Sequence, residues 1–112
     1  MKIKEGVRLA GIRPEMLLAL FIWAEICREY GIEAEITGGM EGVHSPGSLH
    51  YVFLANDVSR KEPDRIGKTQ EMVSKLRFNL NASTVPGKGD YDVVLEGTHI
   101  HIEFQPKKDY IP

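Results

Sequence analysis

Residues 91–104, YDVVLEGTHIHIEF, decide how this chain folds. Two segments rich in apolar residues, Tyr91–Leu95 and His99–Phe104, flank the short link Glu96-Gly97-Thr98, which predicts an antiparallel β-hairpin. Because alternate side chains of a strand share a face, the two histidines and Glu103 point one way. The apolar residues between them point the other way and are expected to face a core: Ile100, Ile102 and Phe104. This arrangement leaves two imidazoles on an open face, where they are well placed to hold a metal ion.

The remainder of the chain predicts two helices and two further strands. Pro14 and a 3.6-residue apolar period predict a helix over residues 14–30, and a second apolar stripe predicts another over 63–80. Residues 32–37 alternate apolar and acidic side chains, and residues 52–58 form a short apolar run; both patterns are typical of strands. We therefore expect an α+β fold with a small antiparallel sheet and two main helices.

Length and composition indicate one ordinary globular domain over residues 1–112. Apolar residues make up 42% and charged residues 27%, and the net charge of −2 gives no strong attraction to nucleic acid or anionic lipid. The apolar stretch 16–26 is too short to span a bilayer, and no signal peptide is visible. We expect synthesis in the cytoplasm and no stable membrane association.

Cys27 is the only cysteine, so an internal disulfide is excluded. Its apolar neighbours Trp23 and Ile26 predict a buried thiol on the first helix. Buried apolar cysteines are generally inert, which argues against a catalytic role.

A second pattern of potential ligands lies upstream of the hairpin. Ser48, His50 and Asp57 follow a loop rich in glycine, residues 38–47, and six residues separate the histidine from the aspartate. Histidine and carboxylate are the ligands that a catalytic zinc ion takes when one position stays open. On spacing alone, the alternative is that these are surface histidines of a small domain.

The combined pattern resembles a known superfamily of zinc peptidases. Ser-x-His, six residues, then Asp, followed later by His-x-His, is similar to D-Ala-D-Ala carboxypeptidases, phage L-alanyl-D-glutamate endopeptidases and the hedgehog signalling domain. The likeness covers about residues 10–107 and looks closest to short members encoded by bacteriophages. It implies the hedgehog/DD-peptidase fold.

The resemblance also implies a metal site. One Zn²⁺ per chain would be held by His50, Asp57 and His101, and His99 would lie beside the metal and stabilise an oxyanion. These assignments come from the matching motif positions.

The same resemblance implies a general base a few residues upstream of the metal histidine. Glu96 matches by position, since it begins Glu-x-x-His-x-His, whereas Glu103 is its rival because it shares the face of the histidines. Glu103 has a second possible role, which is to hydrogen-bond a ligand histidine and fix its tautomer.

The implied activity is hydrolysis of a peptide bond in the stem peptides of bacterial peptidoglycan, by an endolysin-like or D,D-carboxypeptidase-like enzyme. Such an enzyme acts on the cell wall after release or as part of a phage particle. His44 and Ser48 are candidates for substrate contact. Phe53 stands where the superfamily has glycine, which leaves open an alternative, a catalytically impaired zinc protein that binds wall or peptide. A metal-free structural phage protein is a further alternative, and the oligomeric state stays open.

Overall fold

The structure, a computed structural model, describes residues 1–39 and 54–106. The helices within these ranges are α1 (Pro14–Glu29), α2 (Lys61–Arg65) and α3 (Thr69–Asn81). The strands are β1 (Lys2–Ile3), β2 (Glu35–Gly38), β3 (Ala55–Ser59), β4 (Tyr91–Leu95) and β5 (His99–Phe104). The α+β class predicted from the sequence is confirmed.

The described strands form one sheet in the order β1-β2-β3-β5-β4. The pairs β2–β3, β3–β5 and β5–β4 are antiparallel, whereas β1 runs parallel to β2. The expectation of a purely antiparallel sheet is therefore wrong, and the sheet is mixed. The parallel strand β1, Lys2–Ile3, is too short to show an alternating pattern in the sequence. It joins the sheet through two backbone hydrogen bonds, from the N–H of Lys2 to the carbonyl of Ala34 and from the N–H of Lys4 to the carbonyl of Ile36.

Helix α1 begins and ends close to the predicted bounds. Pro14 occupies the first turn, where its missing N–H is no loss, and Glu15 and Arg28 lie at the ends of the helix that favour their charges. The chain leaves the helix through Gly31, which has a φ of +73°. This left-handed conformation suits glycine and stops the helix.

The single helix expected over residues 63–80 is instead two helices, so the prediction of two main helices is also corrected. Gly67, with a φ of +67°, breaks the helical path between α2 and α3. The hydroxyl of Thr69 donates to the carboxylate of Asp64 across this break. A left-handed residue cannot continue a right-handed helix, and the apolar stripe alone does not reveal that conformation.

The hydrophobic core lies between the helices and one face of the sheet. Helices α1 and α3 pack together, α1 also contacts β5, and α3 contacts β4. The sheet contributes its apolar face to the same cluster: Ile36, Val58, Val93, Ile100 and Ile102. The opposite face of β3 and β5 carries the polar side chains, so the fold presents them away from the core.

Among the helices of the described ranges, none has the combination of length and apolarity that crossing a membrane requires.

Candidate metal and catalytic site

The register between β3 and β5 brings the polar residues of two distant segments together. Asp57 pairs directly with His101, and Ser59 pairs with His99. Side chains of directly opposed residues in an antiparallel pair lie on the same face of the sheet. The carboxylate of Asp57 and both imidazoles therefore share the face opposite the core.

One carboxylate oxygen is the centre of this cluster. Asp57 Oδ1 lies 2.9 Å from His101 Nδ1 and 3.6 Å from His99 Nε2. The side chains of Asp57 and His101 are only 18% and 19% exposed, so solvent screens their interaction weakly. The other ring nitrogen of His99, Nδ1, lies 2.9 Å from the hydroxyl of Thr98, within hydrogen-bond distance.

His101 lies between two carboxylates. Its Nε2 is 3.0 Å from Glu103 Oε1, while its Nδ1 faces Asp57. The hydrogen bond that His101 donates to Asp57 raises the pKa of His101 above its usual value, against the opposing effect of burial, and Glu103 raises it further. Each ring nitrogen of His101 therefore has a carboxylate partner, and these two contacts fix the orientation of the imidazole.

Gly38 makes room for the carboxylate of Asp57. A Cβ added to Gly38 would lie 3.0 Å from both Cβ and Cγ of Asp57, and closer still to Oδ2. Asn56, buried on the core side of β3, donates from Nδ2 to the carbonyl of Gly38 at 3.1 Å and holds the end of β2 in place. The sequence predicts a loop that starts at Gly38 and does not predict this role of the glycine; the only signal in the sequence is that the acidic–apolar alternation of β2 ends on a glycine.

Glu96 closes the β4–β5 hairpin. Leu95 pairs with Ile100, and the N–H of Glu96 donates to the carbonyl of His99 at 2.9 Å, so the register continues by one pair. Opposed residues share a face, which puts the Glu96 side chain on the side of His99. The guanidinium of Arg60 donates to the Glu96 carbonyl and ties the turn to the segment after β3.

Four of the predicted site residues lie outside the described ranges. These are His44, Ser48, His50 and Phe53. Within residues 1–39 and 54–106, no group of three or more His, Cys, Asp and Glu side chains is arranged to hold a metal ion. The described part of the site therefore consists of Asp57, His99, His101, Glu96 and Glu103.

Cys27 is buried in the core, as predicted. Burial raises the pKa of its thiol to about 12, so the thiolate needed for nucleophilic chemistry is absent at neutral pH.

Comparisons of the chain with models of protein families, with curated proteins and with solved structures give no match. The resemblance to zinc peptidases thus stays a prediction from the motifs.

Proposed function

We propose that this protein is a zinc-dependent metallopeptidase of hedgehog/DD-peptidase fold that hydrolyses a peptide bond in the stem peptides of bacterial peptidoglycan. The observation that carries the proposal is the meeting of Asp57 with His101, 44 positions apart in sequence, at 2.9 Å on the open face of the sheet. Nε2 of His99 lies 3.6 Å from the same carboxylate oxygen. Imidazole nitrogen and carboxylate oxygen are the types of donor atom that zinc takes in hydrolases.

The donor atoms fit a zinc ion in type and in spacing. Oδ1 of Asp57 and Nδ1 of His101 are 2.9 Å apart. Two ligands of one tetrahedral zinc ion are about 3.3 Å apart when the bonds are about 2.0–2.1 Å long. The pair would therefore accept the ion with a shift of a few tenths of an ångström, and His50 is the third ligand by its motif position.

The hydrogen bond between Glu103 and His101 supports Nδ1 as the ligand atom. In the metal-free ring, both Nδ1 and Nε2 lie within hydrogen-bond distance of a carboxylate, Asp57 and Glu103 respectively. A zinc ion between Nδ1 and Asp57 would replace the proton on Nδ1, while Nε2 would keep its proton and donate it to Glu103. Ligand histidines are commonly oriented through their second nitrogen in this way. Glu103 is thus assigned to fixing the tautomer of His101, which leaves Glu96 as the general base.

Bound zinc would polarise the scissile carbonyl and make water acidic enough to attack near neutral pH. The carboxylate of Glu96 accepts the proton of the attacking water and then delivers it to the nitrogen of the leaving amine. Nε2 of His99 donates a hydrogen bond to the oxyanion that develops on the substrate, a type of contact worth roughly 2.7–4 kcal/mol in comparable enzymes.

Metal content and product analysis test the proposal together. Protein purified without chelator or nickel should contain one zinc per chain, and His101→Ala and Asp57→Ala should lose it. Glu96→Gln should keep the zinc but release no amines from purified peptidoglycan, whereas Glu33→Gln, an exposed carboxylate away from the site, should behave as wild type. Full zinc retention in His101→Ala would refute the ligand assignment.

The roles of the two glutamates are separable in the same assay. Glu103→Gln should bind zinc more weakly and recover turnover at excess zinc, because it touches only the ligand histidine. If Glu96→Gln turned over normally while Glu103→Gln did not at saturating zinc, Glu103 would be the base.

The second candidate is a zinc protein that binds wall or stem peptides without cleaving them. Phe53, where the superfamily has glycine, favours it, since a bulky ring next to the ligand strand would narrow the cleft. Tight binding of the zinc form to purified wall without any release of amines would select this candidate.

A further inference from the structure

A cleft of about 350 Å³ adjoins the candidate site. Asp57 and His99 line it together with Lys4 and Lys61. Its volume falls within the roughly 300–1,000 Å³ that is usual for sites of small ligands. A group seated in this cleft would therefore lie directly against two residues of the proposed catalytic centre.

The cleft contains positive charge that the described protein does not neutralise. Its two carboxylates already have cationic or imidazole partners, since Glu35 lies 3.9 Å from Lys2 and Asp57 contacts His101. Across residues 1–39 and 54–106, neither Lys4 nor Lys61 forms an ion pair. Two ammonium groups without counterions in one concave site favour an anionic ligand.

The backbones that carry these lysines are fixed by hydrogen bonds. The N–H of Lys4 donates to the carbonyl of Ile36 at 2.9 Å, which holds it at the end of β1. The N–H of Lys61 donates to the hydroxyl of Ser59 at 3.1 Å, directly after β3. Ser59 also lines the cleft and is buried, so the lining includes a hydroxyl residue as well as the two lysines.

We propose, on the basis of the proposed function, that this cleft binds a carboxylate of the substrate through Lys4 and Lys61. The carboxylate belongs to a residue next to the bond that is cut, because the same cleft is bordered by Asp57 and His99. Stem peptides offer two such groups, the C-terminal carboxylate and the free α-carboxylate of γ-linked D-glutamate. Either one satisfies the chemistry of the cleft.

Two pairs of probes distinguish these sources and isolate the charge. The first pair is N-acetyl-D-alanyl-D-alanine and its C-terminal amide; the second is the γ-methylamide of N-acetyl-L-alanyl-D-glutamate, whose only anion is the α-carboxylate, and the same compound with that carboxylate amidated. Dissociation constants are measured by calorimetry in the zinc-loaded Glu96→Gln protein, and kcat/KM is measured in the wild type. The protein should favour the acid over the amide in one pair, by about tenfold or more, and Lys4→Met and Lys61→Met should each reduce that ratio by about three- to tenfold.

Lys88→Met is the matched control, because Lys88 is exposed and does not line the cleft. It should leave the ratio unchanged. The proposal is overturned if the acid and amide bind equally or not at all in both pairs, or if the lysine variants weaken both members of a pair to the same extent.

The test of the cleft and the test of the peptidase activity can fail separately. A lysine-dependent preference for the acid without any hydrolysis by the wild type would uphold the cleft and refute the peptidase. Hydrolysis that is indifferent to both lysine substitutions would do the reverse.

Discussion

Gly38→Ala tests whether the position of the Asp57 carboxylate governs metal binding. The new methyl group would lie 3.0 Å from Cβ and Cγ of Asp57. Carbon atoms normally pack at about 3.5–4.0 Å, so the Asp57 side chain must retreat by about 0.5–1 Å. The φ of Gly38 lies outside the left-handed range, so alanine brings no backbone strain and the clash is the whole perturbation.

The expected loss of zinc affinity follows from the short distance between Asp57 and His101. A shift of that size pulls Oδ1 away from a partner nitrogen that is now at 2.9 Å. We expect a loss of about 10–100-fold in zinc affinity, as when other groups that orient metal ligands are disturbed. Overpacking should also lower the free energy of unfolding of the metal-free protein by about 1–3 kcal/mol.

Competition with a chromophoric chelator gives the zinc dissociation constant, and urea unfolding in EDTA gives the stability. Gly97→Ala is the control: it makes the same substitution in the β4–β5 turn, and a Cβ there meets no atom within 4 Å. It should change neither quantity appreciably. Wild-type zinc affinity in Gly38→Ala would show that the carboxylate position seen here does not control the metal.

Three further outcomes follow from the described contacts. In the metal-free protein, Asp57→Asn should lower the pKa of His101, as measured by NMR of the imidazole, because the hydrogen bond that His101 donates to the Asp57 carboxylate raises this pKa. Since the folded pKa exceeds the unfolded value of about 6.5, this interaction stabilises the fold fully below about pH 6.5 and is lost as pH rises through the folded pKa. The stability advantage of wild type over Asp57→Asn should therefore shrink as pH rises above about 6.5, and an advantage that grows with pH in this range contradicts the assignment. Leu76→Ala, at a core residue with 0% exposure, should cost about 2–5 kcal/mol in urea unfolding, and a loss below 1 kcal/mol would place Leu76 outside the core. Iodoacetamide should label Cys27 only under denaturing conditions, since burial raises its pKa to about 12, and rapid labelling of the native protein would contradict that burial.

The hairpin was predictable from the sequence because its local patterns agree. The alternation in residues 99–104 and the short polar link before it give the strand bounds that the structure shows, Tyr91–Leu95 and His99–Phe104. Strand β1 and the break at Gly67 were not predictable in this way. The first depends on pairing with a distant strand, and the second depends on a backbone conformation that glycine permits but does not require.

The candidate site also has a part that local sequence patterns predict and a part that depends on the pairing of distant strands. The shared face of His99, His101 and Glu103 follows from the two-residue period of a strand. That Asp57 stands opposite His101 depends on the order of strands in the sheet and on their register, which the spacing of residues does not encode. The role of Gly38 is not predictable from the sequence, because the space that a side chain would take from Asp57 is defined only once β2 and β3 pair.

The pairing of β3 with β5 also has a kinetic consequence. Because Asp57 and His101 are brought together only by this central, non-local strand contact, helices α1 and α3 can form without creating the proposed zinc site. Uptake of zinc by this proposed site during refolding should therefore report closure of the sheet and lag behind the recovery of helical circular dichroism.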